Sequence, residues 1–590
     1  MLNLFSRSRG RTDQRQPAKL RLRPVLGCLI ACASLWASAA DADTIVRRFV
    51  GGSGQDAVGI IDASEDTEIN GPQALTAGEN GELFLLDQVN NRILRFDPRE
   101  SSVQPRILVL PDDLAPTDLV VRKSDILVWD GSIRSLQAPG PEETSTRGLE
   151  EISTRAGEDE FTLSAFAQMG SARPADATDL LDPNTRAAAS RAQRSRARQH
   201  VASRGAGPVV ADVIPEKGEA SVRIEVRRPG EPDALARLQM RVRDRLGTVE
   251  FLEIDNQGRM FVLGENVPAL AAGAAAFVAR YSPAGTLEGI YELPLNNQTP
   301  LSRRFVTVSG DGDVYYLRTQ RSAVDVIAVG FRPSRNAKII AVGPPASPSA
   351  VTFGGNAPVA AVRPLNRQQV IETAFAFEGI QWEVTQSAYG RDPDSACTGF
   401  NRIRRPSYLH GKLGQQVRGV PYCWGCHGSL AQIGAKLSRG VLAGNVCTRN
   451  APRADVTGVD CSAFVSAAWG LSTHFTTAAI PAIASPIANV WDLRPGDALN
   501  KPRSHVMLFL RFTPDRKAEV MEAAPGACNG RVCRNVYPIA SLLARGYTPV
   551  RFRALADDTS QVAQAQVTPS ERPKATKAPK RRKAAAKDTR

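Results

Sequence analysis

Acyl transfer through a thiol needs a nucleophile of lowered pKa, a base to exchange its proton and a polar group to orient that base. This chain holds those residue types in its last third. The run Val459-Asp460-Cys461-Ser462-Ala463-Phe464-Val465-Ser466-Ala467-Ala468-Trp469-Gly470 places one cysteine at the mouth of an apolar stretch. Phe464, Val465, Ala468 and Trp469 recur at helical spacing, which predicts a helix with one buried face and Cys461 in its first turn. Thr457 and Asp460 are candidate caps. Unpaired N–H groups and the positive end of the helix dipole favour a thiolate at that place, so the thiol pKa is expected to lie below its usual value of about 8.5.

The base and its orienter must come from elements that face this helix. Leu493-Arg494-Pro495-Gly496-Asp497-Ala498-Leu499 reads as a turn entering a strand, followed by Ser504-His505-Val506-Met507-Leu508-Phe509-Leu510 and then Glu519-Val520-Met521-Glu522-Ala523. His505 opens an apolar strand, and Glu522 lies on the next one, a hairpin partner. Cys461, His505 and Glu522 are therefore expected to meet at one end of a small sheet with the helix across it. His474 is the alternative base.

From about Arg418 to Val550 the sequence resembles the NlpC/P60 family of papain-like cysteine peptidases, which act on the stem peptides of bacterial peptidoglycan. Asp460-Cys461-Ser462-Ala463-Phe464-Val465 is similar to the family's nucleophile motif, with Ala463 where glycine is usual. Arg494-Pro495-Gly496-Asp497 matches its strand-entry turn, and His505-Val506 its base. Tyr422 occupies the position of the tyrosine that lines the substrate site. Glu522 stands where many members carry histidine, and the stretch between Tyr422 and Cys461 is enlarged by an insertion that contains Cys447. The resemblance implies a papain-like α+β domain, a Cys461–His505–Glu522 triad and cleavage at a D-glutamyl to diamino-acid bond; no second ligand pair stands at zinc spacing from Cys423 and Cys426, so neither metal nor cofactor is expected. Two other functions use the same residues: an amidase or acyltransferase acting on a lipid or other acyl compound, and a wall-binding scaffold carrying an inactive hydrolase fold.

The cysteine distribution bears on the same point. Cys28 and Cys32 lie in the N-terminal apolar run, and the other seven, Cys397, Cys423, Cys426, Cys447, Cys461, Cys528 and Cys533, lie in the last third. An odd set in an oxidising compartment suggests paired cysteines plus one thiol, with Cys461 the natural remainder. Cys528 and Cys533 flank Asn529-Gly530, which predicts a local disulfide. Cys397, Cys423, Cys426 and Cys447 allow three pairings. Cys423-Trp424-Gly425-Cys426-His427 also fits a haem-attachment pattern, but Tyr422, Trp424 and Gly425 already belong to the peptidase resemblance, so disulfides are expected instead.

The first half repeats a theme of short strands and Gly or Asn turns. It is clearest at Gly71-Pro72-Gln73-Ala74-Leu75, Asn80-Gly81-Glu82-Leu83-Phe84-Leu85-Leu86-Asp87 and Asn90-Asn91-Arg92-Ile93-Leu94-Arg95-Phe96-Asp97. It returns around Gln257-Gly258 and Asp311-Gly312, and in a degenerate copy through residues 118–129. Such self-similarity predicts a β-propeller, with a β-sandwich array as the alternative. The first copy resembles an NHL-type repeat. That resemblance implies the fold and no ligand, so the propeller is expected to act in recognition or placement, open to a protein partner.

The expected organisation is multidomain: an all-β propeller followed by the papain-like α+β NlpC/P60 domain. Residues 1–40 read as a secretory signal, with arginines ahead of an apolar run that is short for a membrane span of about 20 residues, an uncleaved anchor being the alternative. Residues 44–343 form the propeller-like domain, interrupted at 138–221 by an acidic-then-basic insertion read as disordered, with at most a helix around 186–200. Residues 344–364 are a Pro/Ala/Ser/Gly linker, 365–554 the hydrolase and 555–590 a disordered basic tail. The net charge of +14 suggests an anionic neighbourhood, and in an exported protein that points to cell wall or membrane surface, not nucleic acid. The expected location is periplasmic or secreted, and the expected partner is peptidoglycan or its stem peptides.

Overall fold

A computed structural model describes residues 42–61, 68–111, 114–122, 125–137, 196–269, 273–296, 302–334, 339–342, 365–390, 406–445 and 454–556. The N-terminal signal, the 344–364 linker, Cys397, Cys447 and nearly all of the basic tail lie outside these residues.

The first half is a series of antiparallel meanders. Strands at Ala74–Ala77, Leu83–Asp87, Arg92–Phe96 and Arg106–Val109 pair in order. Asp118–Arg122, Asp125–Trp129 and Ile133–Gln137 form a three-stranded sheet, and Leu246–Ile254 opens a five-stranded one. The last sheet runs Val306–Val308, Val314–Thr319, Ala323–Ala328 and is completed by the N-terminal strand Thr44–Gly51, which pairs antiparallel with Ala323–Ala328. The opening strands of neighbouring sheets lie against one another, as blades do around a common axis. This is propeller-type topology, closed by pairing of the chain's start with its last blade. Alternation explains it locally: in the first repeat Gly81, at φ +80°, makes the turn into Leu83–Asp87, whose residues are all buried.

The insertion expected at 138–221 is shorter than the composition suggests. Ala197–Ser203 and Gly207–Pro215 are strands, and with Ser221–Arg227 and Ala236–Arg241 they make a further four-stranded meander. The helix expected around 186–200 is likewise replaced, from Ala197 onward, by strand. Two of the basic residues in that stretch, Arg196 and Arg198, are neutralised by the buried Asp212, which also pairs with Arg227. Beneath them Val209, Ala211, Val213, Val222 and Ile224 supply the core.

The second half is built on a six-stranded antiparallel sheet. Its strands are β1 (Ala484–Pro486), β2 (Ala498–Lys501), β3 (His505–Phe512), β4 (Ala518–Ala524), β5 (Arg531–Tyr537) and β6 (Thr548–Phe552), in the order β1-β6-β2-β3-β4-β5. Four α-helices bear on the argument: α1 (Arg367–Gly379), α2 (Leu430–Ser438), α3 (Cys461–Ala468) and α4 (Ile539–Ala544). Helix α3 packs against β3, β4 and α1. It is therefore enclosed on more than the one face expected, and only Ala467 of its eight residues is not buried. Leu555–Ala556, assigned from sequence to the start of the disordered tail, is instead a short strand that pairs in parallel with Leu365–Asn366 ahead of α1.

The two halves hold apolar clusters of their own and also share one. The described residues belong to one compact body, and a single apolar cluster joins Phe261, Tyr315 and Leu317 of the meanders to Trp491, Met507, Phe509 and Leu542 of the second half. Buried ionic contacts cross the same boundary. Lys517 donates to Glu250 at 2.7 Å, and Glu265 accepts from the backbone N–H groups of Ile539 (3.1 Å) and Ala540 (2.9 Å) at the start of α4. An apolar stripe reads the same in sequence whether it faces its own domain or its neighbour, which is why this junction was not expected.

Candidate active site

The Arg494-Pro495-Gly496-Asp497 turn brings β3 to its place. Gly496 has φ +88°, a conformation that favours glycine. Asp497 accepts from the Arg494 backbone N–H (2.9 Å), from Arg367 on α1 (3.0 Å) and from Arg551 on β6 (2.7 Å), so one buried carboxylate ties helix, turn and sheet together. The chain then enters β2, turns, and starts β3 at His505.

Asp460 caps α3. Its Oδ1 accepts from the Ala463 N–H at 2.8 Å and from Ser462 Oγ at 3.0 Å, and its Oδ2 accepts from the Gly425 N–H at 3.0 Å. Thr457, the other expected cap, sits in a short strand, and its Oγ1 has no hydrogen-bond partner among the described residues. The Tyr422 segment runs between these parts: Tyr422 N–H donates to Gly530 O at 2.7 Å, and Cys423 N–H donates to Val459 O at 2.9 Å.

The structure brings Cys461, His505 and Glu522 together. Cys461 is wholly buried, is not in a disulfide, and is hydrogen-bonded to His505. Glu522 Oε2 lies 2.5 Å from His505 Nε2, which leaves Nδ1 as the ring nitrogen for the sulfur. The other oxygen of Glu522 accepts from Tyr537 Oη and from Asn535 Nδ2, both at 2.6 Å. Burial by itself opposes protonation of His505. The charge and hydrogen bonding of Cys461, then those of Glu522, outweigh it and hold the imidazole well above its ordinary value. Burial would likewise raise Glu522, but the hydrogen bond and charge of His505, with Tyr537 and Asn535, hold it below the ordinary value. The site thus sets thiol, imidazole and carboxylate in one chain, with surroundings that favour a protonated His505 and an ionised Glu522.

His474, the alternative base, is committed elsewhere. Its Nε2 lies 2.7 Å from Ser462 Oγ and 3.5 Å from Asp460 Oδ1. Cys423 is disulfide-bonded to Cys426 and Cys528 to Cys533, which uses the thiols of the haem-like pattern and supports the local pairing expected at 528–533. Tyr422 lines a cavity of about 40 Å³ together with His505 and Glu522.

Several residues of the site were not anticipated. Asn535 and Tyr537 follow from strand period: they alternate on β5 with Glu522 opposite Cys533, so period-2 reasoning could have found them. Glu68, Asn70, Gln73 and Arg303 come from the propeller half, hundreds of residues earlier in the chain, and no local pattern points to them. Glu68 Oε1 pairs with Lys501 Nζ at 3.1 Å. Burial would raise the Glu68 carboxyl, but the charges of Lys501 and His505 hold it below the usual range.

No protein-family sequence profile matches the chain, and no curated protein matches it. Among solved structures, streptogramin B lyase is similar at 11% identity and a TM-score of 0.21, over 48% of this chain and 98% of that one. A Kuenenia stuttgartiensis hydrazine synthase is similar at 10% identity and a TM-score of 0.22, over 43% of this chain and 78% of that one. Likeness at that depth decides nothing about chemistry, and the propeller-type arrangement rests on the strand order described above. No helix among the described residues is long and apolar enough to cross a membrane.

Proposed function

We propose that the protein is an exported cysteine peptidase of the NlpC/P60 type that cleaves peptidoglycan stem peptides, with a papain-like α+β unit in its second half. One observation carries the reading: a buried thiol hydrogen-bonded to a buried histidine whose other ring nitrogen is held at 2.5 Å by a carboxylate. The Cys461 thiolate attacks a peptide carbonyl, and backbone N–H groups at the start of α3 receive the oxyanion. His505 gives its proton to the departing amine as the C–N bond breaks, which leaves a thioester on Cys461. Neutral His505 then takes a proton from water, whose oxygen attacks the thioester carbonyl. The carboxylic acid departs, and the returned proton restores the ion pair. Glu522 keeps the ring oriented and stabilises the imidazolium throughout. In this reading Tyr422 flanks the substrate. The basic charge of the chain suits a periplasmic or secreted place at the anionic wall.

Mass spectrometry of muropeptides digested with the wild-type protein and with Cys461→Ala tests this. New cleavage products from the wild type alone are expected. Identical product profiles would sink the proposal.

The zero exposure of Cys461 favours a second reading, an inactive hydrolase fold on a wall-binding propeller. That reading predicts unchanged muropeptides and an iodoacetamide rate at Cys461 no faster than that of an ordinary thiol.

A further inference from the structure

The cavity that borders the triad is not made by the second half alone. One wall is Tyr422, His505, Glu522 and the turn at residues 524–527, and the opposite wall is Glu68, Asn70 and Gln73 from the propeller half. Asn70 and Gln73 are only 5% and 3% exposed, yet Asn70 Nδ2 and Gln73 Oε1 have no hydrogen-bond partner among the described residues. Burying an unmatched donor and an unmatched acceptor costs stability, on the order of 1–3 kcal/mol each. Such atoms in native structures call for an explanation, a catalytic role or a bound water or ion among them.

The orientation of the Gln73 amide is determined by its surroundings. Gln73 Nε2 donates to Gly71 O at 3.2 Å, which leaves Oε1 as the unmatched acceptor of a side chain that lines the cavity. The Asn70 amide is pressed against the backbone of Gly526: a Cβ there would lie 2.1 Å from Asn70 Oδ1 and 2.5 Å from Nδ2. Only a residue without a side chain lets that amide reach the site. Arg303, also from the propeller half, donates to Ala527 O at 2.7 Å and holds the same turn against this wall.

An acceptor for Asn70 and a donor for Gln73 on one small group are what a carboxamide presents. We infer that Asn70 and Gln73 form a subsite that binds a substrate amide unit next to the scissile carbonyl, Asn70 Nδ2 donating to its C=O and Gln73 Oε1 accepting from its N–H. The propeller half is then part of the active site and selects amide-bearing acyl substrates over esters. This inference rests on the peptidase reading for the identity of the reacting group, but the subsite itself is separable from it.

The test uses the full chain and two small alkylators, acetyl-alanyl chloromethyl ketone and the same ketone with an ester oxygen in place of the amide N–H. Each forms a C–S bond at Cys461 and releases chloride. A wild-type preference for the amide of about tenfold is expected, the size of one hydrogen bond to a neutral group. Gln73→Leu should abolish the preference and Gln73→Glu, which keeps an acceptor but also loses the bond to Gly71, should retain it. Asn70→Leu should slow both reagents alike. An amide-to-ester ratio in Gln73→Leu equal to that of the wild type would overturn the subsite. Since the ratio is taken within each variant, a change in overall stability does not imitate it.

A second measurement does not depend on the thiol. Saturation-transfer NMR of N-acetylalanine N-methylamide with Cys461→Ala should show binding that is lost when Asn70→Leu and Gln73→Leu are added. Equal signals would overturn the inference. Muropeptides left intact while the amide preference holds would instead remove the peptidase reading and leave the subsite standing.

Discussion

The Arg303 guanidinium donates a hydrogen bond to the side-chain oxygen of Asn535. This contact orients the Asn535 amide so that its Nδ2 faces Glu522 at 2.6 Å. A residue of the propeller half therefore positions the third member of the candidate triad through one intermediary.

Replacing Arg303 by leucine removes the group that fixes the Asn535 amide. The expected result is a fall in kcat of about tenfold with KM nearly unchanged, the size of one lost charged hydrogen bond. Arg303→Lys should recover part of it by restoring a donor. Steady-state kinetics on muropeptides checks this, and a change confined to KM would assign Arg303 to binding instead.

Glu522→Gln keeps the shape of the side chain and removes its charge. The hydrogen bond and charge of Glu522 help raise His505, so the alkaline limb of the pH–rate profile should move to lower pH in this variant. The rate should fall by about a hundredfold, within the range of general acid–base contributions. An unmoved limb would show that His505 is held by Cys461 alone.

The two shifted groups give stability of opposite pH dependence. His505 is raised above its ordinary 6.5, so its contribution is fully present below that value and is lost as pH rises through the higher folded value. Glu522 is depressed below its ordinary 4.5, so its contribution is present above that value and is lost as pH falls through the lower folded one. The Tm difference between wild type and His505→Gln should therefore be largest between these limits and shrink on both sides. Thermal unfolding across pH reads it directly.

Lys517 is almost fully buried between Glu250 (2.7 Å) and Asp515 (3.2 Å). Lys517→Met leaves Glu250 without its buried cation and should cost about 3–5 kcal/mol, whereas Lys517→Met with Glu250→Leu should restore most of it. Denaturant unfolding should show both halves losing stability together, because the pair bridges the two halves, which also share an apolar cluster.

Asp460 serves Ala463, Ser462 and Gly425 at once. Asp460→Ala should lower stability by about 1 kcal/mol or more through loss of the helix cap, and Asp460→Asn should retain most of it. Unfolding midpoints for the two variants would separate capping from charge.

Much of this protein was legible in its sequence where the signal is local. Short apolar runs set off by Gly and Asn turns placed strands at 74–96 and around 257–258 and 311–312, a degenerate copy placed those at 118–129, and helical spacing placed α3. The positions of Cys461, His505 and Glu522 followed because helix start, strand start and hairpin partner are each set by neighbours in the chain. Local composition misled at residues 197–215, where arginines masked strands whose charge is cancelled by Asp212, itself within that stretch.

What only the tertiary structure decided is everything that depends on distant chain segments meeting. Period and propensity describe a residue's own element and carry no record of which surface will cover it. Glu68, Asn70, Gln73 and Arg303 look like ordinary loop residues of a propeller. They become parts of the candidate site because the apolar faces of the two halves bury each other, and that burial brings four polar side chains to within reach of a histidine more than two hundred residues further along the chain.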